Sequence, residues 1–471
     1  MVVAEQTFQP EEEGSLKVHR SRSVRRPKVT PDGKNLVSHA GAALLSELAD
    51  RSGLTEAMST AMSDCGISWH THDPGVVLTH LAVAIADGAD CLADITVLKE
   101  QEELFGPVAS LSTAWRAVHA TASVELRAIP VALAAARSRV WAASPPIGPM
   151  IWDFDSTLLN VYADKEDAAP TYKHGFGFDP LAVWCDNTNE PLAAMLRPGN
   201  ASPSDTDDHL ELLEQAVRAL PLEYALGHEE GDDPSLVVHP ILVRIDSAGA
   251  SHRLVQSLFD ANFDYSIGFP ISGSVRDGLM LAQEEDWVAA IELGGGIRAG
   301  AQVIEITELI ELEDWPLDMR VFSRREHPHP GAQLSLFDTH DGWRHTCFIT
   351  NTTGDDIAAL ELAHRGHARV EDRVRAWKAC GLSNLPFDGF CANQAWVAVS
   401  LIAGALLAWS QMTCFDGALA KAEPKTIRYR VLHVAALVVH RGRDLIMRLD
   451  RTWPWARELA SAFIALRAAF P

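Results

Sequence analysis

The most constraining stretch of the chain is MIWDFDST at residues 150–157, an apolar run that leads into two carboxylates. The pattern predicts a β-strand. Because side chains alternate along a strand, Asp153 and Asp155 are expected on one face and Phe154 on the other. An unpaired buried charge is costly or titrates away, so two acids on one face of a buried strand require a cation. The stretch predicts a metal site, with a solvated strand end as the alternative.

Charge and cysteine content narrow the class of protein. The net charge of −23 excludes a surface that is positively charged throughout. Half of the 40 Lys and Arg residues lie in two segments, 17–34 and 365–451, so contact with DNA would use local patches. The seven cysteines form no C-x-x-C pair, which is typical of a reduced cytoplasmic protein without a disulfide framework or zinc site. The apolar run at 395–409 is too short for a membrane span and predicts a buried core helix.

The succession of patterns predicts a mixed α/β, multidomain chain, since 471 residues exceed one ordinary core. The predicted regions are a flexible basic arm at 1–36, a helical region at 37–142, the first part of an α/β core at 146–271, an antiparallel β-insertion at 272–352, the second part of the core at 353–412, and a basic C-terminal helical region at 413–471. Helical patterns flank Ser52 and Gly53, which indicates a helix-turn-helix or an ordinary helical hairpin.

Two further acids follow the first strand in a fixed structural order. The core begins with three strands expected to form an antiparallel meander and continues with a helix. The next strand ends in Asp246, just before a turn into another helix, and this is a common position for active-site groups in α/β sheets. Glu371 lies in a later helix, where it shares a face with Arg375 and Lys378. A solvated helix face with ordinary ion pairs is the alternative for that group.

The order of meander, helix, strand and helix resembles the ribonuclease H-like fold. The chain closely resembles the DDE-type transposases of bacterial insertion sequences, in the cut-and-paste branch with a β-insertion between the second Asp and the Glu. The resemblance covers residues 37–450. Its motifs are DFDST at 153–157, GFGFDPL at 175–181, RPGNASPSD at 197–205, ILVRIDSAGAS at 241–251, RGHARVEDRVRAWKACGLSNLPF at 365–387, and the ANQAW helix that follows.

This resemblance implies that Asp155, Asp246 and Glu371 hold two Mg²⁺ ions, with Mn²⁺ as a substitute and Asp153 as an extra or alternative ligand. Such ions activate the attacking oxygen and stabilise the leaving oxygen of a phosphodiester, and Mg²⁺ prefers carboxylate ligands. Four basic residues are expected to bind DNA phosphates: Arg365, Arg369, Arg375 and Lys378. Lys378 has the place of the lysine in the family's Tyr-Arg-Glu-Lys signature. The chain departs from that signature, because His364 and His367 stand where Tyr and Arg are expected.

The implied activity is Mg²⁺-dependent cleavage and strand transfer by a homodimer that brings the two element ends together. Water cuts one strand at each end, and the freed 3′ hydroxyl attacks the opposite strand and later the target DNA. Residues 37–142 and the basic tail would read the terminal inverted repeats of double-stranded DNA. The protein is expected in the cytoplasm, associated with the nucleoid, without a membrane partner.

Two other functions share parts of this pattern. The sequence DFDST also matches the nucleophile motif of haloacid-dehalogenase-like phosphatases, in which Asp153 would attack phosphate and Asp155 would act as the acid. Such an enzyme needs a lysine to hold the aspartyl-phosphate, yet no Lys occurs between Lys173 and Lys378. A catalytically silent DNA-binding protein derived from a transposase is the second alternative, and the intact Asp155, Asp246 and Glu371 argue against it.

Overall fold

The structure is a computed structural model, and it describes residues 28–63, 71–124, 126–162, 164–328, 339–340 and 342–471. Most of the predicted basic arm lies outside these residues, as does part of the β-insertion predicted at 272–352.

The chain before the main sheet is mostly helical, after a short strand that the sequence did not predict. Its elements are β1 (Leu36–Val37), α1 (Ala42–Arg51), α2 (Leu54–Ala61), α3 (Pro74–Asp87), α4 (Thr96–Lys99), α5 (Glu102–Phe105), α6 (Leu111–Val124) and α7 (Ala128–Ala143). Gly53 separates α1 from α2 with a φ of 78°, a left-handed conformation that glycine adopts without strain. At the start of α3, the Asp73 carboxylate accepts the Val76 N–H at 3.0 Å.

Five strands form one half of a large mixed sheet, from the edge strand β7 inwards, in the order β7-β6-β2-β8-β9. The strands up to this point are β2 (Met150–Ser156), β3 (Leu159–Asn160), β4 (Ala169–Pro170), β5 (Phe176–Phe178), β6 (Leu181–Cys185), β7 (Glu190–Met195), β8 (Ile241–Ile245) and β9 (Asp264–Phe269). Strands β2, β8 and β9 run parallel, whereas β6 and β7 are antiparallel neighbours that extend the sheet beyond β2. Strands β3 to β5 form a small separate sheet.

The inserted strands continue this sheet and do not form a separate one. They are β10 (Val288–Ile291), β11 (Ile297–Glu305), β12 (Arg320–Glu326), β13 (Thr339–His340) and β14 (Trp343–Thr350), all antiparallel to their neighbours. Strand β14 pairs with β9, so backbone hydrogen bonds join the insertion directly to the central strands. The helices around the sheet are α8 (Thr206–Arg218), α9 (Leu222–Ala225), α10 (His252–Asp260), α11 (Gly273–Leu281), α12 (Ile357–Arg365) and α13 (Val370–Trp377).

The longest helix, α14 (Phe390–Cys414), occupies the centre of the molecule. It is apolar around its circumference and packs against β7, α3 and α6, as expected of a helix buried on all sides. It is the one unbroken helix in the described part of the chain with the length and apolar character of a membrane span, and most of it is buried inside the protein. One hydrophobic core includes this helix, the N-terminal helices and the sheet.

The C-terminal region contains a β-hairpin where the sequence predicted only helix. Its elements are α15 (Pro424–Ile427), a helical turn at Arg428–Leu432, β15 (Ala436–Arg441), β16 (Asp444–Leu449) and α16 (Ala456–Ala469). The prediction for residues 436–449 was wrong, because the segments on both sides of Gly442, whose φ is 65°, pair as antiparallel strands. Strand β1 pairs with β15, so the two ends of the described chain share a three-stranded sheet.

A buried ion pair joins the N-terminal helices to the sheet. Arg137 on α7 donates to Glu190 at the start of β7 over 2.8 Å, and both side chains are fully buried. The indole N–H groups of Trp141 and Trp409 donate to the same carboxylate at 2.8 and 2.7 Å. This satisfied polar cluster fixes α7, β7 and α14 relative to one another.

Candidate active site

Two of the predicted metal ligands lie at the carboxyl ends of neighbouring parallel strands. Asp153 of β2 pairs in register with Arg244 of β8. Two residues further on, this register brings Asp155 level with Asp246, which directly follows β8. The sheet therefore places both carboxylates at one edge, where parallel strands end.

The third predicted ligand, Glu371, lies in the first turn of α13 and is exposed. Burial raises the pKa of Asp155 to about 6, and the negative charges of Asp246 and Glu371 contribute to this rise. The charge of His367 acts in the opposite direction. The structure thus brings all three predicted carboxylates within electrostatic reach, with Asp155 interacting with both of the others.

The hydrogen bonds of two of these acids leave one carboxylate oxygen of each without a donor. Among the described residues, the three do not form a group whose donor atoms all lie within 4.8 Å of one another, as the ligands of a single ion would. Oδ1 of Asp155 accepts the Ser156 N–H and Oδ1 of Asp246 accepts the Ala248 N–H, each at 2.9 Å. Within the described chain no hydrogen-bond donor reaches their second oxygens. Carboxylate oxygens of this kind are the hard donor atoms that Mg²⁺ prefers.

Asp153, the fourth candidate ligand, is fully buried and paired with basic side chains. Arg244 donates to both of its oxygens at 2.8 Å, and Arg373 of α13 donates to Oδ2 at 2.9 Å. Nδ1 of His367 lies 3.0 Å from Oδ1. The side chain therefore has no oxygen free for a metal ion. This pairing contradicts the predicted role of Asp153 as an extra or alternative ligand. The same pairing argues against the phosphatase alternative, because a carboxylate buried between two guanidinium groups cannot attack a substrate.

Asp186 completes this buried network, and no sequence pattern singles it out. It follows β6 and accepts from Arg244 at 2.9 Å and from Arg369 and Arg373 as well. Although burial opposes ionisation, these three guanidinium groups lower the pKa of Asp186. Because Arg369 and Arg373 flank Glu371 in the sequence, the ion pairs fix the start of α13 against the strand that carries Asp155.

The structure divides the four predicted phosphate-binding residues into two pairs. Arg365 donates to Glu361 at 2.9 Å and to the Ile291 carbonyl, and Arg369 is bound to Asp186. The guanidinium groups of Arg365 and Arg369 are therefore bound to protein acceptors. Arg375 is 62% exposed and forms surface pairs with Asp372 and Glu423, at 2.8 and 3.3 Å.

Lys378 is the fourth predicted phosphate-binding residue, and it lies beside the end of β2. Its Nζ donates to the Leu158 carbonyl at 3.4 Å. Burial lowers the pKa of Lys378, while the charge of Asp155 raises it. Together with Arg375, Lys425 and Arg428, it lines an open cavity of about 410 Å³. Lys425 was not singled out in the sequence because only the fold brings it to this cavity.

The two histidines of the variant signature have different environments. The His364 ring stacks on Phe348 with centroids 4.5 Å apart, and its Nδ1 lies 3.0 Å from the Ser266 hydroxyl. Burial lowers the pKa of His364 to about 3, so this imidazole is neutral at physiological pH. His367 contacts Asp153 and faces Asp155. His364 therefore contributes to packing, and His367 lies between the buried network and the three carboxylates.

Comparisons with known proteins give a matching family model and a similar structure. A family model described as "Transposase DDE domain group 1" matches residues 19–470. No curated protein matches the chain at a significant level. Among solved structures, the chain is similar to a piggyBac transposase in a synaptic complex with hairpin DNA, determined by cryo-EM. The two are 9% identical, the match covers 86% of this chain and 82% of that chain, and the TM-score is 0.39.

Proposed function

The chain belongs to the transposases with a group 1 DDE domain, and from this premise we propose that it cuts and joins DNA at the ends of an insertion sequence. The reaction is Mg²⁺-dependent cleavage at terminal inverted repeats followed by strand transfer. The observation that carries the proposal is that the charges of Asp246 and Glu371 reach Asp155 at the carboxyl end of β2 and raise its pKa.

In this proposal Asp155, Asp246 and Glu371 would hold two Mg²⁺ ions, or Mn²⁺ as a substitute. When bound, the ions supply activation of the attacking oxygen and stabilisation of the leaving oxygen. The order β7-β6-β2-β8-β9, with β6 and β7 antiparallel, supports assigning the core at 146–271 and 353–412 to the ribonuclease H-like fold.

The protein's own charges position the DNA backbone. Arg375 and Lys378 contact phosphates near the cut, since charge-assisted bonds to phosphate are strong and both side chains face the same cavity. Lys425 extends this basic lining. The buried network around Asp153 keeps α13, and with it Glu371, against the sheet while DNA binds.

The remaining parts of the proposal concern assembly and recognition. The helical region at 37–142 and the basic C-terminal region read the terminal inverted repeats, and a homodimer holds both element ends. The protein acts in the cytoplasm at the nucleoid. The net charge of −23 requires that DNA contacts be confined to such local basic surfaces.

The direct test uses the full chain and duplexes that end in the inverted repeats flanking its coding region. We expect strand cleavage at the repeat ends with Mg²⁺ or Mn²⁺, because the carboxylates repel one another unless cations are present. Chelation with EDTA should remove cleavage, and added Mg²⁺ should restore it. Denaturing gels measure cleavage, and gel shifts measure binding in the same samples.

Two outcomes would contradict the proposal. Cleavage that persists in EDTA would exclude a metal-dependent reaction. Binding to the repeats without cleavage in any of these ions would instead identify the catalytically silent alternative. A duplex of the same length with scrambled ends is the matched DNA control, and it should be neither bound specifically nor cut.

We expect Lys378→Ala to weaken binding to cleaved ends and to flatten the dependence of binding on salt concentration. Loss of one phosphate contact should reduce the slope of log affinity against log salt by about 1. Fluorescence anisotropy across a salt series measures this slope. Arg218→Ala is the control, because Arg218 is an exposed base of α8 paired with Glu214. Equal slopes for wild type and Lys378→Ala would remove this lysine from the phosphate contacts.

A further inference from the structure

A second group of possible metal ligands lies outside the three-acid site. His39 precedes α1, Asp87 is the last residue of α3, and His433 follows the helical turn before β15. Nδ1 of His39 is 2.5 Å from Oδ2 of Asp87, and Nε2 of His433 is 3.3 Å from Oδ1. One donor atom from each residue lies within 4.8 Å of the other two. The cluster therefore has the spacing of ligands around one ion.

The Asp87 carboxylate is in an environment that requires positive charge. It is 5% exposed and lies at the C-terminal end of α3, which is the negative end of the helix dipole. Oδ1 is buried and, among the described residues, has only the ion pair with His433 at 3.3 Å and no well-aligned hydrogen bond. Arg428 does not satisfy it, because this guanidinium donates to the Ile85 and Ala86 carbonyls at 3.0 and 2.8 Å. The ionised carboxylate therefore depends on positive charge from the two histidines or from a bound cation, since an unpaired buried charge costs several kcal/mol.

The backbone directs the His39 ring into the cluster at some cost. His39 has a φ of 54°, in the left-handed region that non-glycine residues seldom adopt. Hydrogen bonds on its C-terminal side hold this conformation, from Ala40 N to the Val434 carbonyl and from Gly41 N to the Leu432 carbonyl, both at 3.0 Å. Such strained residues concentrate at binding sites, where the surrounding structure fixes them.

We propose that His39, Asp87 and His433 bind one Zn²⁺-class transition-metal ion, with water as the remaining ligand. Two imidazole nitrogens and one carboxylate oxygen form a typical zinc donor set and differ from the all-oxygen set that Mg²⁺ prefers. Nε2 of His433 now donates to the Asp87 carbonyl at 2.7 Å. On binding, this nitrogen releases its proton to solvent, and its lone pair goes to the ion.

The position of the cluster indicates a structural role. His433 leads into the β15–β16 hairpin, which pairs with β1, and Asp87 belongs to the core helix α3. An ion here would fasten the terminal three-stranded sheet to the helical region. Since a ligand that binds only the folded protein stabilises it, Zn²⁺ should raise the melting temperature. The proposal does not depend on the cleavage reaction.

The test is titration of the full chain with Zn²⁺ and Co²⁺ in excess Mg²⁺, which occupies carboxylate-only sites. We expect one tightly bound Zn²⁺ per chain by calorimetry, visible absorption bands from bound Co²⁺, and a higher melting temperature with Zn²⁺. His39→Ala and His433→Ala should each weaken this binding about 100-fold or more, since even residues that only orient metal ligands contribute about 10–100-fold.

His440→Ala is the matched control, because His440 lies on the same hairpin and is exposed. It should retain the tight site and the thermal shift. Circular dichroism of each variant without metal verifies that it is folded. Binding that is equal in wild type, His39→Ala and His433→Ala would overturn the proposal. Absence of tight binding in the wild type would also overturn it and leave only a proton-held His–Asp–His contact.

Discussion

The Asp246→Asn protein is expected to bind terminal-repeat DNA like the wild type. Its cleavage rate should be lower than that of the wild type by a factor of at least about 10³. The substitution removes one negative charge from a carboxylate proposed to hold a metal ion. Metal ions supply several kcal/mol of charge stabilisation in such transition states, and about 4 kcal/mol corresponds to about 10³ in rate. Single-turnover cleavage under saturating protein measures the rate, and gel shifts measure binding.

Asn is the informative replacement because it preserves the local fold. Oδ1 of Asp246 accepts the Ala248 N–H in the turn after β8, and an Asn carbonyl oxygen can accept the same bond. Asp233→Asn is the matched control, since Asp233 is exposed and accepts the Ser235 N–H at 2.9 Å in a turn of the same type. Near-normal cleavage by Asp246→Asn, or loss of DNA binding along with cleavage, would contradict a metal-ligand role.

The Asp153→Asn protein is expected to lose about 3–5 kcal/mol of its free energy of unfolding. Arg244 and Arg373 are almost fully buried, and each donates to Asp153. Removing the negative charge leaves these guanidinium groups to share Asp186. A buried charge that loses its partner is far more costly than a broken surface pair. Denaturant titration, followed by circular dichroism, measures the change in stability.

A surface ion pair provides the control for this experiment. Asp207 pairs with Arg253, and both side chains are more than half exposed. Asp207→Asn should change stability little, because solvent screens such pairs. If Asp153→Asn were no less stable than Asp207→Asn, the buried network would not hold α13 as we describe. Adding Arg373→Gln to Asp153→Asn should cost less than the sum of the two single changes, since the residues are in contact.

Asp153 and Asp155 lie two residues apart on β2 and therefore on the same face of the strand. Their roles differ through their surroundings. Asp153 lies deeper and is neutralised by two arginines, whereas Asp155 lies at the sheet edge, where Asp246 and Glu371 add negative charge. The first acid thus anchors the helix that carries Glu371, and the second remains available for cations.

Several features of the fold and site were predictable because they are periodic over a few residues. Alternation gave β2 with its two acids on one face, and an apolar circumference gave the buried helix α14. The strand-to-turn pattern gave Asp246 at the end of β8. The hairpin at 436–449 was missed because its strands depend on pairing with each other and with β1, which lies about 400 residues earlier in the chain.

The sequence by itself therefore determined the local elements and the order of the three acids, since backbone periodicity and strand ends are properties of short segments. Only the tertiary structure decided which charged groups meet. It paired Arg365 and Arg369 with protein carboxylates, recruited Asp186 to the buried network, and joined the inserted strands to the central sheet. It also brought positions 39, 87 and 433 together. The physical reason is that Coulombic and hydrogen-bond partners depend on distance in space, which sequence separation does not specify.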